Sequence, residues 1–333
     1  MIIQPPSSMP VKVFAPALPN IPWQERPADC AGHIWRHTGN PIIGRRPFPG
    51  ARSVYNSAIV PLDGGFVGVF RLDYEEVLPA IHVGHSADGL IWKLEEEPLP
   101  FFSCAAEGRG MEYGYDPRIA KIGGDYYIHW CNGYYGPTIG IAKTRDFKNF
   151  EQLENAFLPF NRNGVLFPRK IDGFYGMLSR PSGPGHNAYG DIFYSASPDL
   201  VFWGRHRLVL ERGASRWQRT KIGGGPVPIE TSEGWLTIYH GVMDTCNGFV
   251  YSAGAMLLDL EQPWKVVARK NSPILWPEAG YETVGHVPNV VFPCAALVDG
   301  ATNRLAIYYG AADTHIAIAY TTVDALINEI KKG

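Results

Sequence analysis

An apolar run that passes through a Gly- or Asp-rich turn into an aromatic-rich run recurs five times along this chain. The copies are PLDGGFVGVFRLD (Pro61–Asp73), KIGGDYYIHWCN (Lys121–Asn132), KIDGFYGMLSRP (Lys170–Pro181), ETSEGWLTIYHG (Glu230–Gly241) and VDGATNRLAIYYG (Val298–Gly310). Their spacing of roughly 50–70 residues is that of a repeat architecture in which one unit cannot bury its apolar face without neighbours. Three units carry a third signature, in SADGLIW (Ser86–Trp92), TRDFKNF (Thr144–Phe150) and SPDLVFW (Ser197–Trp203), each with an aromatic four residues after an Asp. A turn Asp followed by a packing aromatic suits an outer strand returning to the sheet edge, so each unit reads as four strands.

Five four-stranded units predict an all-β, five-bladed β-propeller forming a single domain over residues 1–333. Met1–Gly50 reads as an N-terminal arm that either closes the propeller or packs on a neighbouring subunit, and residues 322–333 as a short terminal helix. Composition agrees: Gly 37, Pro 28 and 13% aromatic residues in 333 favour short strands and tight turns over helices.

The net charge of −2, with acids and bases interspersed, builds no field for a polyanion and argues against nucleic acid as a partner. The five cysteines have no CxxC spacing and mostly lie in apolar runs, which predicts reduced core thiols in a cytoplasmic protein. The N-terminal stretch has neither a basic n-region nor an apolar run of spanning length, so neither export nor membrane anchoring is expected. No metal-ligand spacing, P-loop, GxGxxG or nucleophile elbow is present, and the Gly-rich KIGGGP leads into a strand.

In a propeller the innermost strands all start at one end of the central channel, so the residues that precede them converge. The dipeptides Asn56-Ser57, Asp116-Pro117, Phe167-Pro168, Gly225-Pro226 and Phe292-Pro293 occupy that place ahead of the first apolar run of each unit. The hairpin ends Arg71, Arg180, His240 and Asp313 form a second ring around it, and Arg162 is expected in a loop just ahead of an inner strand. Asp-Pro is a common turn start, and Asp116 has that plain reading; yet the corresponding position holds no acid in the other units. Arg71, Arg162, Arg180, Lys221 and His240 would together suit a dianion such as phosphate, with Arg offering paired donors and Lys a point charge. Tyr113, Tyr115, Trp130, Tyr134, Tyr135 and Tyr309 lie near the mouth, where a minority of such rings would stack on sugars.

The segments YDPRIAKI, NRNGVLFPRKIDGFYGMLSRP, KIGGGPVPIETSEGWLTIYHGV, LLDLEQPWKV, NVVFPCAALVDG and IYYGAAD, in chain order, resemble glycoside hydrolase family 130. The likeness is strongest to its phosphorylases of β-1,4-mannooligosaccharides and mannosyl-β-1,4-N-acetylglucosamine. It implies a five-bladed propeller and inverting phosphorolysis, in which inorganic phosphate as co-substrate attacks a terminal β-mannosyl unit and releases α-mannose 1-phosphate and a shortened sugar. No cofactor is implied, and members are often homo-oligomers. By the resemblance Asp116 is the general acid, its proton passing through the mannose 3-hydroxyl. Arg162, Arg180, Lys221 and His240 match the phosphate site; Asn56, Ser57, Arg71, Asp313 and Tyr115 match the sugar site.

The chemistry fits this pattern. Inverting hydrolysis needs an acid and a base, whereas phosphate arrives already anionic and needs only positioning by cations. The alternatives are a β-mannoside hydrolase on the same fold, with a base among Glu107, Glu112 or Glu282, or a β-1,2-mannoside phosphorylase. A furanosidase would carry an acid where this chain has Asn56, and a non-catalytic sugar-binding propeller would repeat one pocket in every blade.

Overall fold

Each of the five recurrent hairpins forms the inner part of a four-stranded antiparallel blade. The computed structural model describes residues 11–75, 78–184 and 190–333. The first ten residues of the arm lie outside the described residues.

From the channel outward, blade one comprises Ala51–Leu62, Gly65–Tyr74, Ala80–Ser86 and Lys93–Pro98, and blade two Gly114–Ile122, Asp125–Gly133, Pro137–Thr144 and Phe150–Gln152. Blade three comprises Asn161–Leu166, Tyr175–Pro181, Ile192–Ser197 and Gly204–Leu210. Blade four has Lys221–Gly224 innermost, continued by Ile229–Thr231, then Gly234–Thr245, Gly248–Leu258 and Val266–Arg269. In blade five, Val291–Val298, Arg304–Ala311 and His315–Thr322 are completed by Trp35–Arg36 from the arm, so the N-terminal segment supplies the outermost strand. Asn40 extends this closure, exchanging side-chain hydrogen bonds with both the N–H and the carbonyl of Ile318.

The core is a ring of interfaces between blades rather than one central mass. Phe70 and Leu72 pack with Tyr308 and Ile318 between blades one and five, while Val67 and Ile81 meet Ile128 and Trp130 between one and two. In blades one, two and four an aromatic of the second strand meets a glycine on the third, Phe70 with Gly84, Trp130 with Gly140 and Tyr239 with Gly254. A Cβ added at Gly140 would stand 2.5 Å from the Trp130 ring, so only glycine fits there. The Asp-to-aromatic signatures are outer turns: Asp88, Asp146 and Asp199 each accept two backbone N–H groups, from residues two and three further on. Asp259 caps an equivalent turn in blade four. The terminal helix Val323–Lys332 is capped by the Thr322 hydroxyl and buries Val323, Leu326, Ile327 and Ile330.

The dipeptides expected ahead of the inner strands mark instead an irregularity within or just after them. In blade one Tyr55 pairs with Arg71 and Ala58 with Val69, leaving Asn56 and Ser57 opposite one residue as a β-bulge. Asp116-Pro117 forms the same bulge in blade two. In blade three it is Asn163-Gly164, four residues before Phe167-Pro168, and Arg162 lies in the strand and not in a loop. The bulged residues Asn56, Asp116 and Asn163 share a left-handed backbone, with φ of 52°, 52° and 53°.

Candidate active site

These three bulges aim their side chains into the same end of the channel. Asn56 Nδ2 donates to Asp116 Oδ1 at 2.7 Å, and Arg71 Nη1 donates to the same oxygen at 3.1 Å. Arg71 is braced in turn by Asp73, which accepts from Arg71 Nε at 2.9 Å and from the Tyr55 hydroxyl at 2.7 Å. The guanidinium lies over the rings of Tyr55 and Tyr115, 4.4 and 5.0 Å from their centroids. One oxygen of Asp116 is therefore held by two donors, and neither donor contacts the other oxygen.

Beneath the bulge, the buried Arg118 crosses the channel and donates to the carbonyls of Asp116, Pro117, Gly224 and Gly225. It thus ties blade two to blade four. Asp313 sits in a turn whose two central residues, Ala312 and Asp313, both have positive φ. Burial raises its pKa to about 7, opposed by nearby Arg71 and reinforced by Asp116 and Asp73.

The basic half comes from blades three and four. Arg162 and Arg180 are directly paired across neighbouring strands. Arg162 donates to the Ser182 hydroxyl and the Gly183 carbonyl. Arg180 Nη1 meets His240 Nε2 at 3.1 Å; a guanidinium only donates, so Nε2 accepts and the ring proton belongs on Nδ1. Burial, with Arg180, Arg118 and Lys221 close by, drives the His240 pKa well down and holds the ring neutral. Lys221 lies over Phe249 and Tyr251, 4.9 and 5.2 Å from their centroids, and burial beside Arg180 and Arg162 lowers its pKa to about 7.

Packing like charges into a low-dielectric channel is unfavourable unless an anion joins them. Arg180 Nε is buried without a partner among the described residues, as are Asn56 Oδ1, Ser57 Oγ and Asn163 Oδ1. Such a set of unsatisfied donors and acceptors fits a ligand that carries both hydroxyls and a negative charge.

All ten site residues expected from the sequence lie on the inner and second strands of the blades or the turns joined to them. Asp73, Arg118 and Asn163 were missed. Asp73 stands two residues from Arg71 on one strand, the spacing that shares a face, and Asn163 is the blade-three counterpart of Asp116. Asp73, Asp116 and Asp313 all lie near Arg71. The three glutamates considered as a hidden base are engaged elsewhere. Glu107 accepts from Tyr134, Glu112 from Arg109, and buried Glu282 from Arg36, Tyr309 and two backbone N–H groups. Trp130 stacks on Phe101 in the core and Tyr309 is consumed by Glu282, so neither ring faces the mouth. Among the described residues no group of three or more His, Cys, Asp or Glu is arranged to hold a metal. A cavity of about 440 Å³ at the opposite end of the channel is apolar, lined by Phe14, Ile59, Ile119, Val227 and Leu297, and contains none of the site residues.

Fold and site together define an enzyme of the propeller class with one asymmetric, charged central site. A family model described as β-1,4-mannooligosaccharide phosphorylase matches residues 16–332, and the chain belongs to glycoside hydrolase family 130. It is 53% identical over 323 residues to a β-1,4-mannooligosaccharide phosphorylase of Ruminococcus albus, covering 95% of this chain and 96% of that one. A β-1,2-mannobiose phosphorylase of Listeria innocua is 36% identical over 78% of this chain and 70% of its own. The solved structure of the Listeria innocua β-1,2-mannobiose phosphorylase with β-1,2-mannobiose superposes with a TM-score of 0.80 at 28% identity, covering 90% of this chain and 99% of that one.

Proposed function

We propose that this chain is a β-1,4-mannooligosaccharide phosphorylase that uses inorganic phosphate to release α-mannose 1-phosphate from the non-reducing end. The observation that carries this reading is the division of the channel into two halves: Asp116, fixed by Asn56 and Arg71, and the cluster of Arg162, Arg180, Lys221 and His240. High identity to the Ruminococcus albus enzyme supports the β-1,4 linkage over β-1,2.

In this reading, phosphate held by Arg162, Arg180 and Lys221 attacks C1 of the terminal mannosyl unit. The bond from C1 to the glycosidic oxygen breaks with inversion, and the proton of Asp116 passes to that oxygen through the mannose 3-hydroxyl. Neutral His240 keeps Arg180 aimed at the nucleophile. Asn56, Ser57, Arg71, Asp313 and Tyr115 hold the mannosyl unit. A water nucleophile would need a free carboxylate on its own side, and Asp73 is bonded to Arg71 and Tyr55. The five cysteines are free thiols, three of them buried, which supports a reducing, cytoplasmic setting.

The test is the initial rate of β-1,4-mannobiose cleavage with and without inorganic phosphate. Cleavage that depends on phosphate supports the reading, and an equal rate without it refutes the role of the basic cluster.

A further inference from the structure

Above blade two, the turn joining Asp125–Gly133 to Pro137–Thr144 presents Tyr135 with 70% of its surface exposed. Its φ of 52° is left-handed, an uncommon conformation for a bulky residue and one that marks a position held by its surroundings. Several contacts do the holding. The Arg109 guanidinium covers the ring at 4.8 Å, and Tyr134 meets it edge-on at 5.0 Å. The Tyr134 hydroxyl donates to Glu107 at 2.7 Å, and Arg109 is anchored by Glu112 at 2.8 Å.

This structure connects to the catalytic acid. Tyr115, which precedes Asp116, stacks on Tyr113 at 5.7 Å with an interplanar angle of 25°. Tyr113 lies against Gly133, where any Cβ would come within 2.8 Å of its ring, and Gly133 leads directly into Tyr134 and Tyr135. Two aromatic pairs therefore flank Gly133, Tyr113 with Tyr115 toward the acid and Tyr134 with Tyr135 at the exposed turn. An exposed ring already fixed in place loses little freedom when it binds, and the apolar face of a sugar is a suitable partner for it.

We propose that Tyr135, backed by Arg109, is a stacking platform for a distal mannosyl unit of the leaving chain, and that it sets a preference for longer oligosaccharides. The inference rests on the reading of the site as one for β-1,4-mannosides. Binding by the full chain is measured by calorimetry in an Asp116→Asn background, where turnover is blocked, using β-1,4-mannobiose and β-1,4-mannotetraose. Tyr135→Ala should weaken tetraose binding about tenfold and leave biose binding within about twofold, while Tyr135→Trp retains the tetraose affinity. Equal weakening of both sugars, or no change in either, overturns the inference. So does a parent chain that binds tetraose no more tightly than biose. The phosphate dependence of native turnover is measured separately, so its failure would remove the phosphorylase reading without deciding the platform.

Discussion

Asn56 and Asp116 occupy equivalent bulges in neighbouring blades, and the Asn56 amide donates to Asp116 Oδ1 at 2.7 Å. The same backbone distortion thus provides both the proposed general acid and the amide that holds its carboxylate. Removing a hydrogen bond to a charged group costs about 1.5–3 kcal/mol. Asn56→Ala should accordingly lower kcat by roughly 10–150-fold with a smaller change in the phosphate KM. Steady-state kinetics in both substrates check this, and an unchanged kcat would remove Asn56 from the catalytic arrangement.

Arg180 faces Arg162 across the strand pair and is oriented by His240. Arg180→Ala should raise the phosphate KM about 10–100-fold, the scale of one or two lost charge-assisted hydrogen bonds, and leave the mannoside KM within about threefold. Arg180→Lys should recover only part of the loss, because an ammonium does not offer the paired donors of a guanidinium.

Lys221 is held near a pKa of about 7 by burial and by its arginine neighbours. At about pH 8 the resting side chain is mostly neutral, and arrival of a phosphate dianion favours its charged form, so binding should take up a proton. Below about pH 6 Lys221 is already charged and its contribution to the uptake disappears. Calorimetric titration of phosphate in two buffers of different ionisation enthalpy reads this directly. Uptake approaching one proton at pH 8, abolished by Lys221→Met, is the expected outcome; no buffer dependence at pH 8 would contradict it.

Arg36 and Glu282 pair bidentately, at 2.7 and 2.9 Å, and join the arm to the loop beside blade five. Breaking a buried ion pair by removing one partner typically costs about 3–5 kcal/mol. Arg36→Ala should destabilise the fold by an amount of that order in chemical denaturation, since it leaves the Glu282 carboxylate buried.

Blade number was legible because the hairpins are local: an alternating run, a turn and an aromatic run lie within a dozen residues. Closure by Trp35–Arg36 was not, because a two-residue strand carries no periodicity and its partner is about 285 residues away in sequence. The blade-three bulge was misplaced for a chemical reason. Phe167-Pro168 resembles Asp116-Pro117 in its proline, whereas the structural equivalent, Asn163-Gly164, shares only the ability to take up positive φ. Asp116 and the cations stood out as charges between apolar runs. Arg118 was part of a quoted motif without an assigned role, because its four carbonyl acceptors belong to two blades that only the ring brings together.

The central claim is that phosphate, positioned by cations, replaces an activated water. Phosphorus and proton NMR of a reaction containing β-1,4-mannobiose, inorganic phosphate and the enzyme test it most directly. The account predicts one α-mannose 1-phosphate for each mannose released. Two free mannose molecules per disaccharide, with the phosphate signal unchanged, would contradict it.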